Sequence, residues 1–426
     1  MSQGLQQLTT NPDVLAGNPI KATQEFTAED GTKIQFACGN NNIYIQETTG
    51  ALELVKQTLP NVPTDDNWEI IPFNNQCFFV QENHNPLVYT YPAGTFAEVT
   101  PTGDGAVWVG GFPNCATAAF GRVWYGDFDN DKSIVYWSEL LDGDNVVGSG
   151  NSIDLAEVWP SGYDELVAIR AWNNFLIFFG KRSIVVYNID PAGPAATGTQ
   201  LADTVEGIGC IARDSVIPLG DQIWFLDSTG VRDFGRTIQE KSLPIGDISY
   251  NVRSDFKQAI NLEQPNDIKA VYHPEDSIYA IFLPNNPKTY VFDTRVLGQR
   301  GEARATQWTN IRPRCAGRST TRNTYMGGNF GIYEYTGFQD QARETDAGEI
   351  EMSPIQCQYY THPMTFGDPS TLKFPKQVDV TIIGGDQTLL NLDWAYDYQA
   401  SFKTSQKLVD GGGTPGFYNL NEPPIP

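Results

Sequence analysis

A short aromatic-rich run, a polar turn and a second apolar run recur along this chain at a near-constant pitch. No other feature restricts its possible folds as strongly. Trp172 to Phe179 forms one run, Gly180-Lys181-Arg182 the turn, and Ile184 to Tyr187 the return. Ile223 to Leu226, Asp227-Ser228-Thr229-Gly230 and Val231 to Phe234 repeat the plan. Runs bounded by Gly, Asp, Ser and Asn read as β-hairpins. Taking one aromatic residue per hairpin, Phe78, Trp124, Phe178, Trp224, Tyr279 and Tyr325 follow one another at steps of 46, 54, 46, 55 and 46 residues, and Tyr44 precedes Phe78 by 34. Strand-rich units repeating every ~40–50 residues are the spacing of propeller blades. A blade needs about four strands, so weaker runs such as Val107-Trp108-Val109 and Val216-Ile217 are expected to supply the rest. The expectation is an all-β fold, a β-propeller-like domain of six or seven blades over residues 31–345. A pair of β-sandwiches also suits regular strand spacing, but the even pitch favours the propeller.

Residues 1–30 read as an N-terminal extension. Between Pro244 and Pro265 the β pattern breaks: Ile248, Val252, Phe256 and Ile260 recur every four residues and form one apolar stripe. With Asp247 as N-cap and Pro265 as the stop, this predicts an inserted helix of about 12–14 residues docked on the β scaffold. Past residue 345 the pitch ends. QARETDAGEIE (341–351) reads as a linker. Ile355 to Phe366, Val378 to Ile383 and Leu389 to Tyr398 read as strands of a smaller C-terminal β-domain over 346–410. The last stretch, 411–426, reads as an extended tail lying along another surface.

The chain has 426 residues, 12% of them aromatic, which implies many half-buried strands, while 40 Gly and 27 Pro imply many turns. With 28 basic against 51 acidic side chains the net charge is −23, the reverse of the balance expected of a protein that wraps nucleic acid. Such charge serves solubility; it would also repel phosphate, so that DNA slides past without sticking. The six cysteines (Cys38, Cys77, Cys115, Cys210, Cys315 and Cys357) lie at least 38 residues apart and include no CxxC pair. That argues against a zinc knuckle and for buried free thiols made in a reducing cytoplasm. The opening MSQGLQQLTTNPDVLAGN lacks a basic region followed by an apolar core, so no secretory signal is expected. No apolar run of about 18 residues occurs, and no membrane insertion is expected.

Chemical motifs are weak. Asp127-Phe128-Asp129-Asn130-Asp131 starts like a calcium loop, but Lys132 and Ser138 stand where that loop needs Gly and Glu, so an Asp/Asn-rich hairpin turn is expected. Gly207-Ile208-Gly209-Cys210-Ile211-Ala212 matches G-x-G-x-x-A, yet strand-like sequence follows where a dinucleotide site requires a helix. His84, His273 and His362 lie far apart, each within two residues of a proline, and are expected in exposed loops. Arg295, Arg300, Arg304, Arg312, Arg314, Arg318 and Arg322 cluster around Trp308, a possible phosphate or subunit contact; salt bridges to the acidic majority are favoured. Carboxylates are plentiful, but nothing selects a catalytic pair. No catalytic, cofactor-binding or metal residue is predicted, and no cofactor.

LVAIRAWNNFLIFFGKRSIVVYNIDP (166–191), IGCIARDSVIPLGDQIWFLDSTGVRDFG (208–235) and GRVWYGDFDNDKSIVYWSEL (121–140) resemble the tail nozzle proteins of short-tailed bacteriophages, also called tail hub or packaged-DNA stabilisation proteins. The segment after PIGDIS and the strands through LDWAYDYQ are similar too, so the likeness covers about residues 120–400. The single GFYNLNEP near the end departs from the repeated short aromatic motifs with which such proteins often finish. The resemblance implies a propeller with added β-domains and a non-enzymatic virion protein. It implies a homohexameric ring below the portal and adaptor, close to tail fibre or spike proteins and assembled in the host cytoplasm. Genomic DNA would be retained and then conducted through its lumen without sequence-specific binding. The alternative reading is a propeller-type glycan-active hydrolase or a sugar- or receptor-binding module, which would need a ligand pocket with carboxylates or a metal at one mouth.

Overall fold

A computed structural model describes the chain apart from residues 1–4, 8–14, 16–17, 47–53, 62, 64–66, 103–107, 109, 148–150, 161, 191–197, 221, 236–246, 287, 300, 310, 312, 322, 329–330, 337–338, 345–349, 355–378, 383–387, 396–401, 410–415 and 420–426. It forms two compact units, Met1–Ile355 and Gln356–Pro426. The first is a seven-bladed β-propeller with one short α-helix. A three-residue strand, β1 (Leu5–Gln7), precedes the first blade. Blade 1 is β2 (Ile20–Thr27), β3 (Lys33–Gly39), β4 (Asn42–Gln46) and β5 (Leu54–Lys56). Blade 2 is β6 (Glu69–Phe73), β7 (Gln76–Val80), β8 (Leu87–Thr90) and β9 (Thr95–Glu98). Blade 3 is β10 (Pro113–Ala119), β11 (Arg122–Phe128), β12 (Ile134–Trp137) and β13 (Ser152–Asp154). Blade 4 is β14 (Leu166–Trp172), β15 (Phe175–Gly180), β16 (Ser183–Ile189) and β17 (Thr199–Glu206). Blade 5 has, among the described residues, three strands, β18 (Ile217–Pro218), β19 (Ile223–Asp227) and β20 (Gly230–Asp233). Blade 6 is β21 (Lys269–His273), β22 (Ile278–Phe282), β23 (Thr289–Asp293) and β24 (Ala305–Trp308). Blade 7 is β25 (Cys315–Arg318), β26 (Thr324–Gly328) and β27 (Gly331–Tyr335), completed by β1.

The aromatic pitch has a simple origin. Phe78, Trp124, Phe178, Trp224, Tyr279 and Tyr325 all lie on the second strand of their blades. Tyr44 lies on the third strand of blade 1, which is why its step to Phe78 is short. These strands are buried on both faces rather than half-buried as the composition suggested. Every residue of Arg122–Phe128 and of Ile223–Asp227 is buried. The reason is geometric: each blade is sandwiched between two neighbours, so both faces of its central strands meet apolar surface. Seven apolar clusters result, one in each gap between adjacent blades. Phe26, Phe36, Trp68 and Phe79 fill the gap between blades 1 and 2, for example, and Leu15, Ile20, Tyr44, Cys315 and Ile332 the gap between blades 7 and 1.

Several boundaries differ from expectation. Residues 1–30 are not a separate extension. Ile20–Thr27 is the innermost strand of blade 1, and Leu5–Gln7 pairs antiparallel with β27, Leu5 opposite Tyr335 and Gln7 opposite Tyr333. The two ends of the domain thus share blade 7, which closes the ring and covers the edge β27 would otherwise present. Trp172 to Phe179 is two strands, not one, joined at Asn173-Asn174. Trp108 belongs to no strand and instead packs against Tyr125, Phe128 and Tyr136 at 5.4, 5.6 and 5.9 Å. The inserted helix, α1 (Arg253–Ile260), is shorter than predicted because its first turn, Tyr250–Val252, is a 3-10 helix. Asp247 does not cap α1; its carboxylate accepts from the Ser249 amide and hydroxyl at 3.0 and 2.6 Å. The apolar stripe does dock, with Phe256 edge-on to Tyr290 at 4.8 Å.

The 341–351 segment is not purely a linker. β28 (Gln339–Glu344) and β29 (Ile350–Pro354) pair antiparallel within the first unit. In the second unit, β31 (Thr388–Trp394) pairs with β32 (Lys403–Val409), and β30 (Asp379–Ile382) pairs with β33 (Gly416–Asn419). Part of the supposed tail therefore forms regular structure, because an extended GFYN can satisfy its backbone on an available strand edge. The expected strand over 355–366 lies outside the described residues.

Candidate functional site

The innermost strands of a propeller surround its axis, and here ion-paired side chains reach across it. Arg213 sits in a 3-10 turn, Arg213–Ser215, just before the innermost strand of blade 5. Its guanidinium is buried and crosses the axis. Nη2 donates to Asn67 Oδ1 at 3.0 Å and to the Trp68 carbonyl at 3.1 Å at the entry to blade 2, and Nη1 donates to the Asn114 carbonyl of blade 3. Glu69 of β6 bridges further: Oε1 meets Arg170 of β14 at 2.8 Å, Oε2 accepts from the Ala116 amide of β10 at 2.9 Å, and Arg213 Nε lies 3.8 Å away. Asp214 accepts from Arg213 Nη2 at 3.0 Å and pairs with Lys269 of β21. Blades 2 to 6 are thereby tied together across the axis.

Burial works against the Arg213 charge, but Asp214 and Glu69 hold the guanidinium firmly protonated. Burial alone would raise the Asp214 carboxyl; Arg213 and Lys269 beside it hold it well below the usual carboxylate range. Nearby, burial pushes Asp127 up to about 6, against the pull of Lys132 at 2.8 Å. Buried charges persist only when paired and hydrogen-bonded, and this network meets that condition. Its carboxylates are committed to cations and are not a free acid–base pair.

Above this plug, at the face carrying the turns that enter the innermost strands, lies a cleft of about 370 Å³. Lys21, Lys269 and Arg314 line it with Glu82 and Asp267, and Asn67 and Lys269 link it to the plug below. A second concavity of the same volume lies between blades 3 and 4.

The residues singled out from sequence are scattered over the fold. The Asp127 run covers the end of β11, with Asp127 at φ 56°, and the expected turn into β12, where the Ser133 amide donates to Asp131 at 3.1 Å. Among the described residues no group of three His, Cys, Asp or Glu side chains is placed to hold a metal ion. Gly207 to Ala212 leads from β17 into the Arg213 turn. Its Gly209 passes so close to the Arg182 amide and Gly180 carbonyl that a side chain there has no room. His84 and His273 are buried, not exposed: His84 Nδ1 lies 2.6 Å from the Asn85 carbonyl in the β7–β8 turn, and His273, at the end of β21, has Nδ1 2.9 Å from Thr324 Oγ1 and its ring edge-on to Tyr335. Arg295 pairs with Asp293 at 2.6 Å as expected, whereas Arg318 lies over the Tyr272 ring at 5.9 Å and Trp308 stacks on Tyr335. His362, Cys357, Arg300, Arg312 and Arg322 lie outside the described residues. Cys38, Cys77, Cys115, Cys210 and Cys315 are buried thiols that form no disulfide, and burial pushes the Cys210 thiol up to about 12. Sequence reasoning missed Arg213, Asp214, Glu69, Arg170 and Lys269. The one local sign is an Arg-Asp pair set between the apolar Ile211-Ala212 and Val216-Ile217.

No protein-family model matches the chain, and no curated protein matches it either. Among solved structures, a chain in the crystal structure of the mitotic checkpoint complex is similar at a TM-score of 0.40 and 9% identity, over 74% of this chain and 88% of that one. A likeness of that degree carries no functional argument.

Proposed function

We propose that this chain is a structural subunit of the tail nozzle of a short-tailed bacteriophage. It would be one copy in a closed homo-oligomeric ring, of six by the resemblance, below the portal and adaptor, through which the genome is held and then released. The observation that carries this reading is the Arg213 plug. The propeller's own axis is crossed by a network tying five blades together, so the fold acts as a stiff block of wall, and on this reading the conduit is formed between copies. The sequence resemblance over residues 120–400 supplies the identity of the assembly, and the −23 charge suits a wall past which phosphates must slide. Heterologous contacts repeated by rotation close such blocks into a ring. The role is non-catalytic, in the virion tail, with portal-adaptor and fibre or spike proteins as neighbours.

Electron microscopy and solution mass of the full-length protein test this. Rings with an open lumen, incorporated into tailed particles, support it. A monomer at high concentration that does not enter particles, or one that cleaves glycans, overturns it.

A further inference from the structure

The concavity between blades 3 and 4 has a composition unlike the charged axial mouth. Phe120, Asn174, Asn188, Asp190 and Gln200 line it, with Ile189 and Gly198 beneath, over about 370 Å³. Phe120 occupies the first position of the two-residue turn between β10 and β11, at φ 53°, with Gly121 following at φ 71°. The left-handed region suits Gly, Asn and Asp and disfavours a bulky side chain. The corresponding turns of blades 2 and 4 place Asn74 and Asn173 there, each at φ 52°. Local turn chemistry therefore selects asparagine twice, and blade 3 departs from it to set an aromatic ring that packs on the edge of the blade 3–4 core and also lines the wall of a cleft. Strained backbone of this kind concentrates where a site needs it.

The other walls supply hydrogen-bonding capacity. Asn174, at the exposed end of the β14–β15 turn, and Asn188 on β16 and Gln200 on β17 are exposed carboxamides. Among the described residues, none of the three side chains has a hydrogen-bond partner within the protein. Each carboxamide offers two donors and an acceptor, which matches adjacent hydroxyls that both donate and accept. An apolar ring face beside them matches the C–H face of a pyranose. The Asp190 carboxylate disfavours an anionic ligand. Few convergent polar groups around an apolar surface are the usual form of a small-ligand site.

We propose that this cleft binds a neutral saccharide, with Phe120 as the stacking platform and Asn174, Asn188 and Gln200 reading its hydroxyls. The proposal does not depend on the nozzle reading, since a single copy carries the whole cleft.

The test uses the full-length protein and tri- to hexasaccharides built from glucose, mannose, galactose or N-acetylglucosamine, with a uronic-acid oligosaccharide as the anionic comparison. Binding is followed by saturation-transfer NMR and calorimetry. At least one neutral oligosaccharide is expected to bind, and the anionic one is not. Phe120→Asn restores the residue type used in blades 2 and 4 but gives up the ring's packing on the blade 3–4 core, so its melting temperature should fall only slightly while its Kd rises about ten-fold or more. Asn188→Ala, on an exposed strand position, should weaken binding as well. Absence of binding by every neutral member at millimolar concentration overturns the proposal, and so does equal binding by wild type and Phe120→Asn.

Discussion

Arg213 of blade 5 donates to Asn67 Oδ1 at the entry to blade 2 across 3.0 Å, joining residues 146 positions apart on opposite sides of the propeller axis. One side chain thereby sets a distance that each blade alone leaves free. Removing it leaves Asp214 with Lys269 alone and Glu69 with Arg170 alone in a buried site, and takes this donor from the Trp68 and Asn114 carbonyls. Arg213→Ala is therefore expected to cost about 3–5 kcal/mol, the range for breaking a buried ion pair. Arg213→Lys should recover only part, because an ammonium does not reproduce the planar fork. Denaturant midpoints of the two variants, with exposed Arg295→Ala as a control that leaves the midpoint unchanged, check this.

Asp127 makes stability depend on pH in a direction opposite to most carboxylates. Burial raises its folded-state value to about 6 from an ordinary 3.8. A carboxyl raised in the folded state contributes stability that is fully present below the unfolded value and is lost as pH rises through about 6. Asp127→Asn removes the charge and suits the left-handed φ of 56°. The stability of Asp127→Asn relative to wild type should be greatest at pH 8 and decline toward pH 4, by up to about 3 kcal/mol at 1.36 kcal/mol per pH unit. Urea unfolding at the two pH values measures it, and a pH-independent difference contradicts it.

The ring is closed by β1, a strand of three residues. Its ladder to β27 runs Leu5–Tyr335, Gln6–Glu334 and Gln7–Tyr333. Deleting residues 1–7 removes those pairings and is expected to cost about 2–3 kcal/mol at ~1 kcal/mol per hydrogen bond. Amide exchange in Gly331–Tyr335 should accelerate more than in β11 or β15, as the exposed edge opens locally. Uniform loss of protection across all blades would contradict a local role.

Gly317 marks the seam between the last blade and the first. A side chain there would collide with the backbone carbonyl of Thr23 on β2. Backbone cannot move aside as a flexible side chain does, so Gly317→Ala should push β25 off β2 and cost about 1–3 kcal/mol, the usual range for overpacking. Gly162→Ala, where nothing lies within 4 Å but φ is +88°, isolates the cost of backbone conformation alone. A smaller loss of melting temperature at Gly162 than at Gly317 is expected.

The spacing of the blades was legible in the residues because it is local, whereas their number was fixed only to six or seven. Each aromatic marker from Phe78 to Tyr325 falls on a second strand, and turns such as Asn74-Asn75 and Asn173-Asn174 carry residues suited to tight reversals. The apolar period every four residues likewise found α1, and overran it only at a first turn that closes as a 3-10 helix. What escaped the sequence is everything that joins distant segments. Leu5–Gln7 has no pattern of its own and becomes a strand only because β27 offers an unpaired edge. Glu69, Arg170, Arg213, Asp214 and Lys269 are ordinary charged residues in a chain rich in them. They become a buried network when five blades turn about one axis, since only the closed ring removes the water that would otherwise solvate them.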